Sequence, residues 1–78
     1  EEDEFDYIFL NPPIRAGKST VFKLYREALE GLAVGGSLWI VIQKKQGAPS
    51  TITELERLFS SVEVVARSKG YFIIKSTK

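Results

Sequence analysis

Apolar positions recur along this chain with two periods, and together they predict six elements in the order β-α-β-α-β-β. Phe5–Leu10 is an apolar run broken only by Asp6, which suits a strand covered on both faces inside a parallel sheet. Val21, Leu24, Tyr25, Ala28, Leu29 and Leu32 fall at the spacing of one helical face, with Lys23, Arg26, Glu27 and Glu30 opposite. Ser19 or Thr20 is placed to cap that helix. Gly35-Gly36 is placed to end it, because glycine takes the left-handed conformation without a Cβ clash. Leu38–Ile42 predicts a second buried strand. Thr51 and Glu54 read as a capping box for a second helix, whose short apolar face is Ile52, Leu55, Leu58 and Phe59. Val62–Ala66 and Tyr71–Lys75 predict two more strands. The link Arg67-Ser68-Lys69-Gly70 is too short for a parallel crossover, so this last pair is antiparallel.

The predicted fold class is therefore α/β, with three parallel strands joined by right-handed crossovers and a final antiparallel strand. In such a sheet the loops after the first and second strands share the C-terminal edge. Residues 11–18 then lie beside residues 43–47 and face one ligand.

Composition narrows the chemistry. The chain has 78 residues, 44% hydrophobic and 27% charged, the balance of a single globular unit spanning 1–78. A domain this small buries only roughly 60% of the surface its unfolded chain exposes. There is no Cys, so no disulfide supports it, which agrees with a reducing, cytoplasmic setting. There is no His, which excludes His-based triads and His-centred metal sites. No CxxC, HExxH or acidic metal loop is present, so no metal site is expected. No apolar run reaches transmembrane length, and no membrane partner is expected. Net charge is +1, so bulk charge names no partner. Its distribution is uneven: acids crowd the first six positions, and Lys44, Lys45, Arg67, Lys69, Lys75 and Lys78 come later. The chain also lacks Met and opens shortly before a strand. It reads as the C-terminal part of a larger protein. An exposed sheet edge, where the missing part would sit, favours self-association.

The candidate chemistry lies at Asn11-Pro12-Pro13, where the first strand runs out. Open α/β sheets bind ligands at such strand ends. Proline has no N–H and a nearly fixed φ, and it biases the preceding residue toward extended geometry. The corner thus presents a carboxamide and carbonyl oxygens with few competing donors. Those oxygens are suited to hold a neutral –NH2 group by both hydrogens and to aim its lone pair at an electrophile. The plain alternative is a strand terminator. Arg15, Lys18, Lys44 and Lys45 are candidate phosphate contacts, against a bland reading as solvated loop cations. Ala16-Gly17-Lys18-Ser19 hints at a phosphate-binding loop, but the first glycine of that motif would fall at Pro12. Trp39, Tyr25 and Phe72 read as core. Arg67 and Lys69 are expected at the far end of their hairpin and take no role.

These residues carry a family resemblance. Asn11-Pro12-Pro13-Ile14-Arg15-Ala16-Gly17-Lys18, the Gly35-Gly36 pair before Leu38-Trp39-Ile40-Val41, the run Gln43-Lys44-Lys45-Gln46-Gly47-Ala48 and Val62–Arg67 resemble the C-terminal half of a class I S-adenosylmethionine-dependent methyltransferase. The match is to the "methyltransferase small" group and its small-subunit ribosomal RNA guanine-N2 methyltransferase C family. The resemblance covers nearly the whole chain. It implies half of a Rossmann-like sheet with the final antiparallel strand inserted between its neighbours. It also implies RNA modification in rRNA processing, with methyl transfer to an exocyclic nucleobase amine, most specifically guanine N2 of 16S ribosomal RNA. The implied cofactor is S-adenosylmethionine, and the implied partners are ribosomal RNA or the small ribosomal subunit and a missing N-terminal half.

By resemblance, Asn11 and Pro12 are the catalytic pair that grips the amine, and Asn11 also borders the cofactor. Pro13, Ile14, Arg15, Lys18, Lys44 and Lys45 are the substrate-binding set. The family usually carries Phe or Tyr after the second proline, to stack on the base; here Ile14 or the Arg15 guanidinium takes that place. The glycine-rich cofactor loop is absent, since no Gly-x-Gly occurs. The isolated fragment is therefore expected to be inactive. The alternative of a different class is a non-catalytic RNA- or protein-binding module that retains this fold.

Overall fold

The computed structural model describes residues 4–78; the acidic positions 1–3 lie outside the described residues. The elements are β1 (Phe5–Leu10), α1 (Lys18–Gly31), β2 (Leu32–Gln43), α2 (Ala48–Leu58), β3 (Ser61–Ser68) and β4 (Tyr71–Thr77), with short 3-10 turns at Ile14–Ala16 and Lys44–Gln46. The four strands form one sheet in the order β1-β2-β4-β3. Only β1 and β2 pair in parallel, so the expected run of three parallel strands is not formed. β4 lies between β2 and β3 and is antiparallel to both. The reason is the tight Lys69-Gly70 turn, which folds β4 back at once and fills the place beside β2. Both turn residues have positive φ, 50° and 83°, the two-residue hairpin geometry that follows strand twist.

Both helices pack on one face of this sheet. Leu38, Ile40 and Ile42 of β2 and Ile74 of β4 project there and are buried against Val21, Tyr25 and Ala28 of α1 and Leu55 of α2. Strand alternation sends Trp39, Val41, Tyr7 and Phe9 to the other face. That face is uncovered: Phe9 is 75% exposed and Tyr7 64%. β1 is thus an edge strand with one open face, not a strand buried on both sides. Trp39 is half-buried rather than core. It stacks on Phe9, with ring centroids 6.2 Å apart, and Lys75 Nζ lies 5.6 Å from its ring.

Helix ends also differ from the pattern-based expectation. α1 starts at Lys18 after Gly17, and neither Ser19 nor Thr20 caps it. It ends at Gly31, where Leu32 turns extended, well before Gly35-Gly36. The glycine pair instead lies within β2. Between the pairs Phe5–Leu32 and Tyr7–Ser37 the parallel register shifts, so the pair serves a bulge. Gly35 has φ 86°, and Gly36 sits against backbone: a Cβ there would meet Ala33 O at 2.9 Å and Asp6 O and Phe5 O at 3.0 Å. Lys78 closes the bulge, its N–H donating to Gly36 O at 2.9 Å and its Nζ to Leu32 O at 2.6 Å.

α2 starts at Ala48 after left-handed Gly47, with proline in its first turn, where the missing N–H is not needed. Thr51 is therefore inside the helix and no capping box forms. Its hydroxyl is buried and hydrogen-bonds the Tyr25 hydroxyl at 3.0 Å, tying α2 to α1. Burial pushes the Tyr25 phenol above its ordinary pKa, and the bond to Thr51 offsets part of that. Glu54 pairs instead with Arg57, one turn further on.

Candidate functional site

β1 and β2 end at the same edge of the sheet, and the loops that follow carry the candidate residues. Asn11 and Pro12 follow β1 directly. Asn11 is exposed, and its carboxamide makes no hydrogen bond to a described residue. Pro12 is buried, which anchors the corner to the fold, while Pro13 is exposed. Few donors compete for the Pro12 carbonyl, as proline chemistry suggests, but one backbone N–H does reach it. The Ile14 N–H reaches it at 2.9 Å across Pro13, whose φ −79° and ψ 79° are those of an inverse γ-turn. A carbonyl oxygen has two lone pairs, so one remains for a ligand. The γ-turn fixes where that oxygen points. The next bonds, Ala16 N–H to Pro13 O at 2.8 Å and Gly17 N–H to Ile14 O at 3.1 Å, hold the rest of the loop in its 3-10 turn.

Beside this corner lies a cleft of about 90 Å³ between the starts of α1 and α2. Ile14, Gly17 and Lys18 line one side; Gln46, Gly47 and Ser50 line the other. The two loops expected to face a common ligand do share a concave surface. Ile14 and Lys18 are on it, with Val21 and Phe22 supplying an apolar floor. Arg15 is exposed on the 3-10 turn.

Lys44 and Lys45 do not line this cleft. They line a separate groove of about 350 Å³ with Gln43, Lys69 and Gly70. Lys69 therefore belongs to the same edge as the other cations, contrary to the sequence-based expectation. Because β4 pairs with β2, Gln43 lies opposite Tyr71, and the hairpin tip meets the end of β2. The Lys44 N–H donates to Gly70 O at 2.8 Å, and Gln43 Nε2 donates to the Tyr71 hydroxyl at 2.7 Å. Arg67 lies with its guanidinium carbon 5.3 Å from the Phe72 ring centroid. The missed signal was the hairpin itself: an antiparallel return puts its turn at the end where β2 finishes. Among the described residues, no group of His, Cys, Asp and Glu is placed to hold a metal ion.

An α/β unit whose parallel strand pair ends in loops lining a shared cleft belongs to the ligand-binding class of open sheets. Within that class, residues 1–75 match the methyltransferase small domain model, and the chain belongs to that family. It is 57% identical over 74 residues to the uncharacterized protein YbxB of Bacillus subtilis (strain 168), covering 95% of this chain and 37% of that protein. It is 34% identical over 82 residues to ribosomal RNA large subunit methyltransferase G of Pseudomonas putida (strain GB-1), covering 100% of this chain and 21% of that protein. In structure it is similar to the T. thermophilus 16S rRNA N2 methyltransferase RsmC in complex with AdoMet and guanosine. That likeness has a TM-score of 0.91 and 24% identity, over 100% of this chain and 21% of that one. The chain thus spans about a third of one relative's length and a fifth of the others'. The insertion of β4 between its neighbours, which the resemblance implied, is the order found here.

Proposed function

We propose that this chain is the substrate-side part of an S-adenosylmethionine-dependent methyltransferase that acts on an exocyclic nucleobase amine, guanine N2 of 16S ribosomal RNA. The observation that carries this reading is Asn11-Pro12, set at the end of a parallel strand in a methyltransferase small domain. An uncommitted carboxamide and a carbonyl fixed by its γ-turn are two acceptors on one corner. Together they match the two hydrogens of an –NH2 group. Support for RNA as the substrate comes from the relatives, whose names specify 16S or large-subunit ribosomal RNA.

This chain's residues fit one side of a methyl-transfer site. Asn11 and Pro12 hold the amine and direct its lone pair. The target nucleotide leaves its stack to reach them. S-adenosylmethionine, when bound, supplies an electrophilic methyl group on sulfur. As the nitrogen–carbon bond forms, the sulfur–carbon bond breaks with its electrons remaining on sulfur, and the amine then loses a proton to water. No side-chain base is needed. The cleft beside the corner offers Ile14 and Phe22 to the base and Lys18 to a phosphate.

The test is transfer of labelled methyl from S-adenosylmethionine by the full-length protein to unmodified small and large ribosomal subunits, with the product located by mass spectrometry. N2-methylguanine in 16S RNA is the expected product. Methylation confined to the large subunit would overturn the 16S assignment and keep the reaction class. A second reading, a non-catalytic RNA-binding module, is favoured by one feature, Ile14 where an aromatic would stack. RNA binding without transfer to either subunit would establish it.

The open outer edge of β1 supports a further expectation. The 78-residue chain alone self-associates through unpaired backbone groups of that edge. Sedimentation at rising concentration should show dimers or larger species; a strictly monomeric boundary would refute this.

A further inference from the structure

Six of the eleven cations of this molecule lie along one edge of the sheet. The segments at the C-terminal ends of β1 and β2 and the β3–β4 turn carry Arg15, Lys18, Lys44, Lys45, Arg67 and Lys69 and no carboxylate. Among the described residues the acids lie elsewhere: Glu4 and Asp6 at the start of β1, Glu63 near the start of β3, and Glu27, Glu30, Glu54 and Glu56 along the helices. Within this edge, Lys44, Lys45 and the Lys69-Gly70 turn form one concave groove of about 350 Å³. None of the three lysines pairs with a described carboxylate. The groove is built rather than accidental, since the Lys44 N–H to Gly70 O bond and the Gln43–Tyr71 bond clamp its two walls. Lys69 also occupies a left-handed position, φ 50°, where asparagine, aspartate or glycine is the usual choice. A lysine kept at an unfavourable backbone position points to a use for its charge.

We propose that this groove is a second RNA contact, which holds the phosphodiester backbone beside the target nucleotide. The inference rests on the RNA methyltransferase reading and adds the hairpin turn to it. Charge complementarity selects the partner: three lysines with no acidic neighbour among the described residues suit consecutive phosphates of a single strand. Its position along the same sheet edge as Asn11 lets one strand lie in both. The contact fixes where the strand lies and carries no base information.

The test is equilibrium binding of a 5′-fluorescein-labelled, mixed-sequence single-stranded RNA of 12 nucleotides to the full chain. It is read by anisotropy between about 50 and 200 mM salt, with no S-adenosylmethionine present. Lys69→Gln is expected to weaken binding about fivefold at the lower salt and to make the slope of log affinity against log salt shallower by roughly 0.7. Lys23→Gln, on the exposed face of α1, should change neither. Far-ultraviolet circular dichroism of both variants controls for folding. The proposal is overturned if Lys69→Gln and Lys44→Gln both match wild type, an outcome that leaves the methyltransferase reading intact. If the wild-type chain binds this RNA with no salt dependence, the groove proposal falls, and the methyl-transfer assay decides the enzyme reading separately.

Discussion

For the proposed reaction, Asn11→Ala in the full-length protein is expected to lower kcat for methyl transfer by about 100-fold or more, while S-adenosylmethionine affinity shifts by no more than about threefold. A guanine amine is a poor nucleophile because its lone pair is drawn into the ring. In the proposed reaction two acceptors, one for each hydrogen, hold the nitrogen and turn the lone pair toward the methyl group. Alanine removes one acceptor and lets the amine rotate away. The Pro12 carbonyl stays in place, since its γ-turn bond to Ile14 does not involve the Asn11 side chain. Asn11→Asp retains an acceptor oxygen and should recover part of the rate. Single-turnover rates and cofactor titration separate the two effects. Equal loss of rate and cofactor affinity would assign Asn11 to cofactor binding instead.

Gly36→Ala is expected to destabilise the fold by about 2–3 kcal/mol, a cost of overpacking. A Cβ at this position would stand 2.9–3.0 Å from three backbone oxygens, those of Ala33, Asp6 and Phe5. Backbone cannot swing aside as a side-chain tip does, so β1 would have to move away from β2. In a domain of this size the loss appears as a fall in melting temperature of roughly 10–20 °C. Gly31→Ala is the contrast. Its Cβ would meet Ile8 and Phe5 side chains at 3.9 Å, an ordinary contact, and alanine is the better helix former. It should be neutral or stabilising by up to about 1 kcal/mol. Calorimetry of the two variants checks both signs.

Gly36 also marks where local pattern stops being informative. A glycine pair after an amphipathic run serves a helix stop and a strand bulge equally well. What decides between them is the approach of β1, residues 5 and 6, some thirty positions away in the chain. Thr51 is a second case. The Thr-x-x-Glu spacing fits a capping box, but Pro49 fits the first helical turn and moves the start to Ala48, which carries Thr51 inward to meet Tyr25. Trp39, Tyr7 and Phe9 are a third: their apolar character predicts burial, whereas their side chains share a face that neither helix covers. By contrast, the helical stripe of α1 and the strand content were legible because periodicity is local. The hairpin was legible because four residues cannot cross a sheet.

The site divides along the same line. Proline chemistry is covalent, so the stiffness of Asn11-Pro12-Pro13 could be read directly from the residues. The γ-turn that engages the Pro12 oxygen depends on how Ile14 folds back, which single residues do not state. The placement of Lys69 depended on β4 returning beside β2, a pairing that composition cannot specify. With that pairing known, the Asn11-Pro12 corner, the cleft at Ile14 and Lys18 and the separate lysine groove all fall along one edge of the sheet.

The most direct measurement is a crystal structure of the full-length protein with a non-reactive S-adenosylmethionine analogue and guanosine bound together. The account predicts Asn11 Oδ1 and the Pro12 carbonyl oxygen each within about 3.2 Å of the guanine N2 atom, with the sulfonium group on its remaining side. A bound guanine whose amine faces solvent or another loop, with Asn11 directed elsewhere, would contradict it.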